Sequence, residues 1–142
     1  GKRQYGIDCF YMWGDTVTLN NKTFSAFCDE LAARNLGIVW LGNGRADNLQ
    51  KPEFVERLRK SGCWMLALGI ESESDDTRRD MMKRLERQKI KTAIDNLRRA
   101  GIKSFGFFIF GYPGDTPESI ARTAAYARET AGSSGRIRFM IE

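Results

Sequence analysis

The chain has 142 residues, 42% of them hydrophobic and 29% charged, which is ordinary for one globular domain with a real core. Its formal net charge of +5 is too weak by itself to indicate nucleic acid, and we expect no nucleic-acid partner. The chain has no histidine, which excludes within it an imidazole general base and every histidine-ligated metal site. The longest apolar stretch free of charge, 104–114, is too short for a membrane span of ~20 residues, and no signal-peptide pattern opens the chain. We therefore expect a cytoplasmic protein without a membrane span.

Four segments are apolar almost residue by residue: 7–13, 38–41, 64–70 and 105–110. Such runs are typical of strands buried on both faces of a parallel sheet. A further apolar pattern at 137–141 is consistent with a last edge strand. The glycine- and serine-rich break before it makes 132–142 either a linker with that strand or a tail added by cloning.

Helical patterns separate the strands. Phe24, Phe27, Cys28 and Leu31 have helical spacing, as do Ile90, Ala93, Ile94 and Leu97, and each stripe is predicted to face the sheet. Two further helices are predicted to begin at Pro52 and near Thr116–Pro117. Gly37, Gly62 and Gly101 are predicted to end helices in the left-handed conformation. The basic stretch from Arg78 to Lys91 is interpreted as the solvated face of a helix, because acidic residues are mixed into it.

The alternation of strands and helices predicts an α/β fold with a parallel sheet of four to five strands and crossover helices. So few strands cannot close an eight-stranded barrel, so the chain is either a small open sheet or a piece of a barrel. It begins almost directly in a strand, which suggests that a preceding part has been removed.

Polar groups gather where the predicted strands end. Ligands of parallel α/β folds bind at the carboxyl ends of the strands. The chain places the segments 14–16, 42–47, 69–74 and 111–116 there, and the candidate residues Asp15, Arg45 and Glu71 are among them. Glycines admit a ligand to the backbone, and carboxylates accept hydrogen bonds from hydroxyl or ammonium groups. The same residues could instead cap loops and helices, and Arg45 could pair with Asp47 alone.

Three cysteines, Cys9, Cys28 and Cys63, lie far apart without a CxxC or CxxxCxxC spacing. They are predicted to be reduced and mostly buried. Neither a zinc ion nor an iron–sulfur cluster is predicted to bind them, and we expect no metal ligand in this chain.

Three stretches carry a resemblance to a known family: YMWGDTVTLN at 11–20, GCWMLALGIESES at 62–74 and AGIKSFGFFIFGYPGDTPE at 100–118, with NGRAD at 43–47 between the first two. Together they resemble the radical S-adenosylmethionine (SAM) superfamily. Within it the likeness is to the cobalamin-binding-domain subgroup that includes the anaerobic magnesium-protoporphyrin IX monomethyl ester oxidative cyclase. The resemblance implies a partial (β/α) barrel of which residues 1–131 are strand two through helix five.

The resemblance also implies cofactors: SAM and a 4Fe–4S cluster in the parent protein, with cobalamin in this subgroup. Gly14 and Asp15 would lie at the SAM amino group, Arg45 at its carboxylate, with Asn43 in the same set. Glu71 and Ser72 would lie near the ribose, and Ile109 and Gly111 at the adenine. The substrate would be a small molecule, a porphyrin by subgroup likeness, on whose flat ring Trp13, Trp40 or Tyr112 could stack unless they belong to the core.

One departure from the family pattern is decisive: the cluster-binding CxxxCxxC motif is absent. We therefore predict that this chain alone neither holds the cluster nor turns over, and we expect no catalytic residue and no bound cofactor in it. Its partners would be the missing N- and C-terminal parts of the same enzyme, and its unpaired sheet edges favour self-association. Two alternatives stay open here: a Mg²⁺-dependent hydrolase or lyase using Asp15, Asp47, Glu71 and Asp115, and a non-catalytic α/β interaction module.

Overall fold

The computed structural model describes residues 2–14, 16–18, 21–131 and 136–141. Five strands form one parallel sheet whose spatial order follows the chain: β1 (Cys9–Met12), β2 (Val39–Gly44), β3 (Cys63–Glu71), β4 (Lys103–Phe110) and β5 (Arg136–Ile141). The α/β prediction with four to five parallel strands is thereby confirmed. Asp15, which the sequence placed in the site, lies outside the described residues.

The helices are α1 (Lys2–Tyr5), α2 (Asn21–Arg34), α3 (Pro52–Lys60), α4 (Asp75–Asp80), α5 (Arg87–Arg99) and α6 (Pro117–Ala131), and a short 3₁₀ turn covers Ala46–Asn48. Leu66, Leu68 and Ile70 alternate along one face of β3 and are fully buried in the core. This is the face that the crossover helices cover, because Leu58 and Leu97 of α3 and α5 belong to the same core cluster. On the opposite face of β3, Met65, Ala67 and Gly69 are only half-buried.

Burial on both faces was therefore the wrong expectation, and β1 departs from it most. Cys9 and Tyr11 on this strand are exposed, and Trp13 just beyond it is 92% exposed. Within the described sheet β1 has one strand neighbour, β2, so its apolar run is only half covered. Phe27 on α2 also departs from its predicted inward position, because it is 39% exposed while Cys28 beside it is buried.

The basic stretch from Arg78 to Lys91 is a second correction. It is not one helix with a solvated face, because residues 81–86 separate α4 from α5. Arg78 is fully buried, and its guanidinium donates hydrogen bonds to the carbonyls of Leu85 and Ser72 and to the Asp75 carboxylate. A cation with that many acceptors can be buried, since it exchanges water for protein hydrogen bonds.

The three predicted glycine stops are confirmed. Gly37, Gly62 and Gly101 have φ of 60°, 96° and 71°, in the left-handed region that residues with a Cβ adopt only with strain. Each precedes a strand of the sheet, so these turns fix where the chain leaves the helix layer.

The cysteines lead to a first testable result. Cys9 is exposed, whereas Cys28 and Cys63 are buried. Burial raises the pKa of Cys28 and raises the pKa of Cys63 to about 12, so both thiols stay protonated at neutral pH. We expect Ellman's reagent at pH 8 to modify one thiol in the folded chain and three after denaturation. Cys9→Ser should abolish the native reaction; a second thiol reacting at the same rate would contradict the burial of Cys28 and Cys63.

Of the helices between residues 2 and 131, none is long and apolar enough to cross a lipid bilayer.

Candidate functional site

A cavity of about 310 Å³ opens at the carboxyl ends of the strands, on the sheet face away from the core. The end of β2 and the turn after it supply most of its wall, β3 and β4 supply Ala67, Gly69 and Phe107, and the loop after α4 supplies Lys83 and Leu85. The full lining is Thr16, Asn43, Gly44, Arg45, Ala46, Asp47, Ala67, Gly69, Lys83, Leu85 and Phe107. Its position agrees with the rule that parallel α/β folds bind ligands at this edge.

Asn43 connects the cavity to the end of β1. Its side-chain oxygen accepts a hydrogen bond of 2.9 Å from the Tyr11 hydroxyl, and its amide nitrogen donates to the Gly14 carbonyl at 3.3 Å. Two predicted site residues, Gly14 and Asn43, are thus in direct contact. The network holds the Asn43 side chain in place at the cavity wall.

Arg45 lies at the mouth of the cavity and is paired with Asp47. The guanidinium makes a forked contact, with Nη2 2.7 Å and Nε 3.1 Å from the two carboxylate oxygens. The hydrogen bond from Arg45 lowers the pKa of Asp47, so this carboxylate is ionised at neutral pH. Buried Thr18 fixes the backbone here, because its hydroxyl accepts from the Arg45 amide at 3.1 Å. Both charged side chains remain partly exposed, so a ligand can reach them.

Glu71 forms a second ion pair, with Lys83. Glu71 ends β3 at an irregularity in the β3–β4 register and has φ of 68°, which is strained for a residue with a Cβ. Only 8% of its surface is exposed, and its carboxylate accepts a hydrogen bond from Lys83 Nζ. The ammonium group crosses directly over Gly69, where an added Cβ would collide with it.

Lys83 is the site residue that sequence reasoning missed, since it was assigned to a solvated face. Its position depends on the buried Arg78 that fastens the loop 81–86 to the end of β3. One sequence signal pointed toward it, because several cations follow Glu71 at the end of β3. No regular spacing of apolar residues places these cations on a particular face, so the signal did not single out Lys83.

The remaining predicted residues lie at the same edge of the sheet but outside the cavity lining. Ser72 is buried, and its hydroxyl accepts from the Ser74 amide at 3.2 Å. Ile109 is half-buried near the end of β4. Gly111 has φ of 87°, and its amide donates to Asp115 Oδ2 at 3.0 Å. Asn43 and Arg45 therefore form the cavity wall itself, while Glu71 reaches it through Lys83.

The described residues do not fit a metal centre. Within the described ranges, no group of three or more His, Cys, Asp or Glu side chains comes together to hold an ion. Asp47 and Glu71 are engaged by cations, and Asp115 by two backbone amides and Ser119. The magnesium alternative is therefore not favoured. An iron–sulfur cluster does not fit either, because two of the three cysteines are buried and no local thiolate group exists.

The fold and the cavity define a parallel α/β domain of the (β/α)-barrel type, with a ligand site at the carboxyl ends of its strands. The family model of the radical SAM superfamily matches residues 1–127. The chain belongs to the radical SAM superfamily.

Two curated relatives are similar to this chain in sequence. The chain is 32% identical over 115 residues to the bacteriochlorophyllide d C-12(1)-methyltransferase of Chlorobaculum tepidum, covering 80% of this chain and 25% of that protein. It is 31% identical over 129 residues to the anaerobic magnesium-protoporphyrin IX monomethyl ester cyclase of Rubrivivax gelatinosus, covering 89% of this chain and 23% of that protein. The chain thus spans about a quarter of the length of these relatives.

Solved structures share the fold. The radical SAM methyltransferase TsrM from Kitasatospora setae, determined with cobalamin and a 4Fe–4S cluster, superposes with a TM-score of 0.85 at 15% identity, covering 96% of this chain and 28% of that chain. Coproporphyrinogen III oxidase from Escherichia coli, a radical SAM enzyme, superposes with a TM-score of 0.78 at 20% identity, covering 94% of this chain and 31% of that chain. The structure is thus a fragment of a (β/α) barrel, as predicted.

Proposed function

We propose that this chain forms one wall of the SAM cleft in a radical SAM enzyme that acts on a tetrapyrrole, as the oxidative cyclase does. Residues 1–131 would be strand two through helix five of the core barrel, and 132–142 a linker with an edge strand. The remaining parts of the enzyme would complete the barrel and hold the cluster. Membership in the superfamily and the tetrapyrrole names of both relatives support this proposal.

The observation that carries the proposal is the pair of ion pairs at the cavity. Arg45, Asp47 and Lys83 line one hollow, and Glu71 reaches it through its ion pair with Lys83. A free amino-acid group carries one ammonium and one carboxylate. Its carboxylate can pair with one of the cations and its ammonium with one of the carboxylates, so no charge in the cavity is left unpaired.

Each residue then has a role that its chemistry suits. Arg45 and Lys83 would bind the carboxylate of SAM, and Gly14, Asp15 and Asn43 would face its amino group. Glu71 and Ser72 would hold the ribose, while Ile109 and the backbone at Gly111 would contact the adenine. Bound there, SAM would supply the reactive adenosyl group, with the cluster held by other parts of the enzyme. These residues would fix its orientation and keep water from it.

The chain alone would not turn over, because it has no cysteine motif for the cluster. We also propose a cytoplasmic location and self-association through the edges of the described sheet at β1 and β5.

Titration with S-adenosylhomocysteine tests the assignment, because this compound keeps the amino-acid, ribose and adenine groups. We expect weak binding by calorimetry or amide chemical shifts, with no response to Mg²⁺. Arg45→Ala and Lys83→Ala should each weaken it about tenfold, the size of one lost charge-assisted contact.

Arg34→Ala is the matched control, since Arg34 is an exposed arginine paired with Glu30 on α2. It should bind as the unchanged chain does. Equal affinity in Arg45→Ala, Lys83→Ala and the control would contradict the proposed site, and a Mg²⁺ response alone would favour the hydrolase alternative.

A further inference from the structure

The turn that brings Lys83 to the cavity contains a strained residue. Met82 has φ of 59°, in the left-handed region that residues with a Cβ rarely adopt. Its side chain is 90% exposed, so packing of that side chain cannot offset the strain. Glycine is the usual residue at such a position, because it adopts the left-handed conformation freely. The surrounding structure must therefore hold the Met82 backbone in this conformation.

Two backbone hydrogen bonds identify the turn as the end of α4. The Met82 amide donates to the Arg79 carbonyl at 2.9 Å, and the Lys83 amide donates to the Arg78 carbonyl at 2.8 Å. This is the pattern of a Schellman motif, in which a left-handed residue and the residue after it donate to carbonyls of the last helical turn. Met82 thus sets the direction in which the chain leaves the helix, and Lys83 is the first residue beyond it.

The far end of the same loop is also fastened. Arg78 Nε donates to the Leu85 carbonyl at 2.7 Å, and Leu85 is buried in the core. Lys83 lies between Met82 and this second fixed point, and its ammonium group donates to the Glu71 carboxylate. Because the span is short, a rotation of the backbone at Met82 would carry Lys83 away from Glu71.

We propose that Met82 is a positioning residue for the cavity: its left-handed backbone aims Lys83 at Glu71, whereas its side chain is dispensable. This role rests on the proposed function, in which the Lys83 ammonium binds the carboxylate of SAM. It adds that ligand affinity depends on a backbone conformation outside the cavity, since Met82 does not line it. A residue that disfavours the left-handed conformation should thus weaken binding, although no group that touches the ligand is changed.

Met82→Val tests this role, because a β-branched side chain disfavours the left-handed conformation more strongly than methionine does. We expect S-adenosylhomocysteine to bind about tenfold more weakly, as in Lys83→Ala. Met82→Gly removes the same side chain but favours the turn, so its affinity should stay within about twofold of that of the unchanged chain. Met81→Val is the matched control, since Met81 is the neighbouring methionine and has an ordinary φ of −69°. It should bind as the unchanged chain does.

The rate at which acetic anhydride modifies Lys83, followed by mass spectrometry, gives a readout that needs no ligand. In the unchanged chain the contact with Glu71 should slow this reaction relative to that of Lys60, which is exposed. Met82→Val should bring the rate at Lys83 close to the rate at Lys60. Met82→Gly and Met81→Val should leave it slow.

The two measurements distinguish a failure of this role from a failure of the proposed function. Faster modification of Lys83 in Met82→Val alone supports the role of Met82, even if the unchanged chain binds no S-adenosylhomocysteine and the proposed function fails. Equal modification rates in Met82→Val and the unchanged chain would overturn the role. The same loss in Met82→Gly as in Met82→Val would overturn it too, because the side chain would then be responsible. Met82→Gly keeps this refutation available if circular dichroism shows that Met82→Val does not fold.

Discussion

Replacing Arg78 by methionine should lower the free energy of unfolding by about 3 kcal/mol, although no predicted site residue is altered. Arg78 is fully buried and donates to Leu85, Ser72 and Asp75. Methionine fills much of the volume but leaves the carbonyl groups of Leu85 and Ser72 without the Arg78 donor and Asp75 with only the Arg87 amide. Each lost hydrogen bond costs on the order of 1 kcal/mol or more. For a chain of this size the midpoint of thermal unfolding should fall by roughly 10 °C.

The same substitution should also weaken binding in the cavity that Asn43, Arg45 and Lys83 line. Arg78 fastens the loop that carries Lys83, and the Lys83 amide itself donates to the Arg78 carbonyl at 2.8 Å. We therefore expect Arg78→Met to weaken S-adenosylhomocysteine binding about tenfold, even at a temperature where the protein is fully folded.

Arg78→Lys is the matched variant: it keeps the charge but loses the planar fork, so both effects should be intermediate. Circular dichroism gives the stability, and calorimetry at 15 °C gives the binding. Unchanged stability in Arg78→Met would mean that the buried hydrogen bonds of Arg78 contribute nothing.

The positions of the strands and the helix stops were predictable because they depend on local chemistry. Continuous apolar runs fixed the strands, and glycine before each strand fixed the turns. The error about burial has one physical cause. In an open fragment of a barrel, one face of the sheet packs on helices while the other faces the barrel interior, so an apolar residue such as Met65 or Phe107 remains half-exposed here.

The cavity was predictable only in part. Asn43 and Arg45 follow directly after a strand, so their position could be inferred from the order of the chain. Lys83 could not be placed in this way, because it reaches Glu71 from a loop that a buried arginine holds. Arg78 and Arg79 are neighbouring residues of the same type, yet Arg78 is buried and Arg79 is exposed. Only the tertiary arrangement distinguishes them.

Gly62→Ala should strongly destabilise the protein. Gly62 has φ of 96°, and a Cβ added there would lie 2.6 Å from the Ile38 carbonyl oxygen, a backbone atom that cannot move aside without shifting the chain into β2. Left-handed strain and this contact each cost on the order of 1–3 kcal/mol, so we expect the free energy of unfolding in urea to fall by about 3 kcal/mol.

Gly101→Ala is the matched control: its φ is 71°, but the nearest atom to an added Cβ is Arg59 Nε at 3.9 Å. It should lose about 1 kcal/mol from strain alone. Equal losses in the two variants would show that the close approach of Gly62 to Ile38 does not constrain the fold.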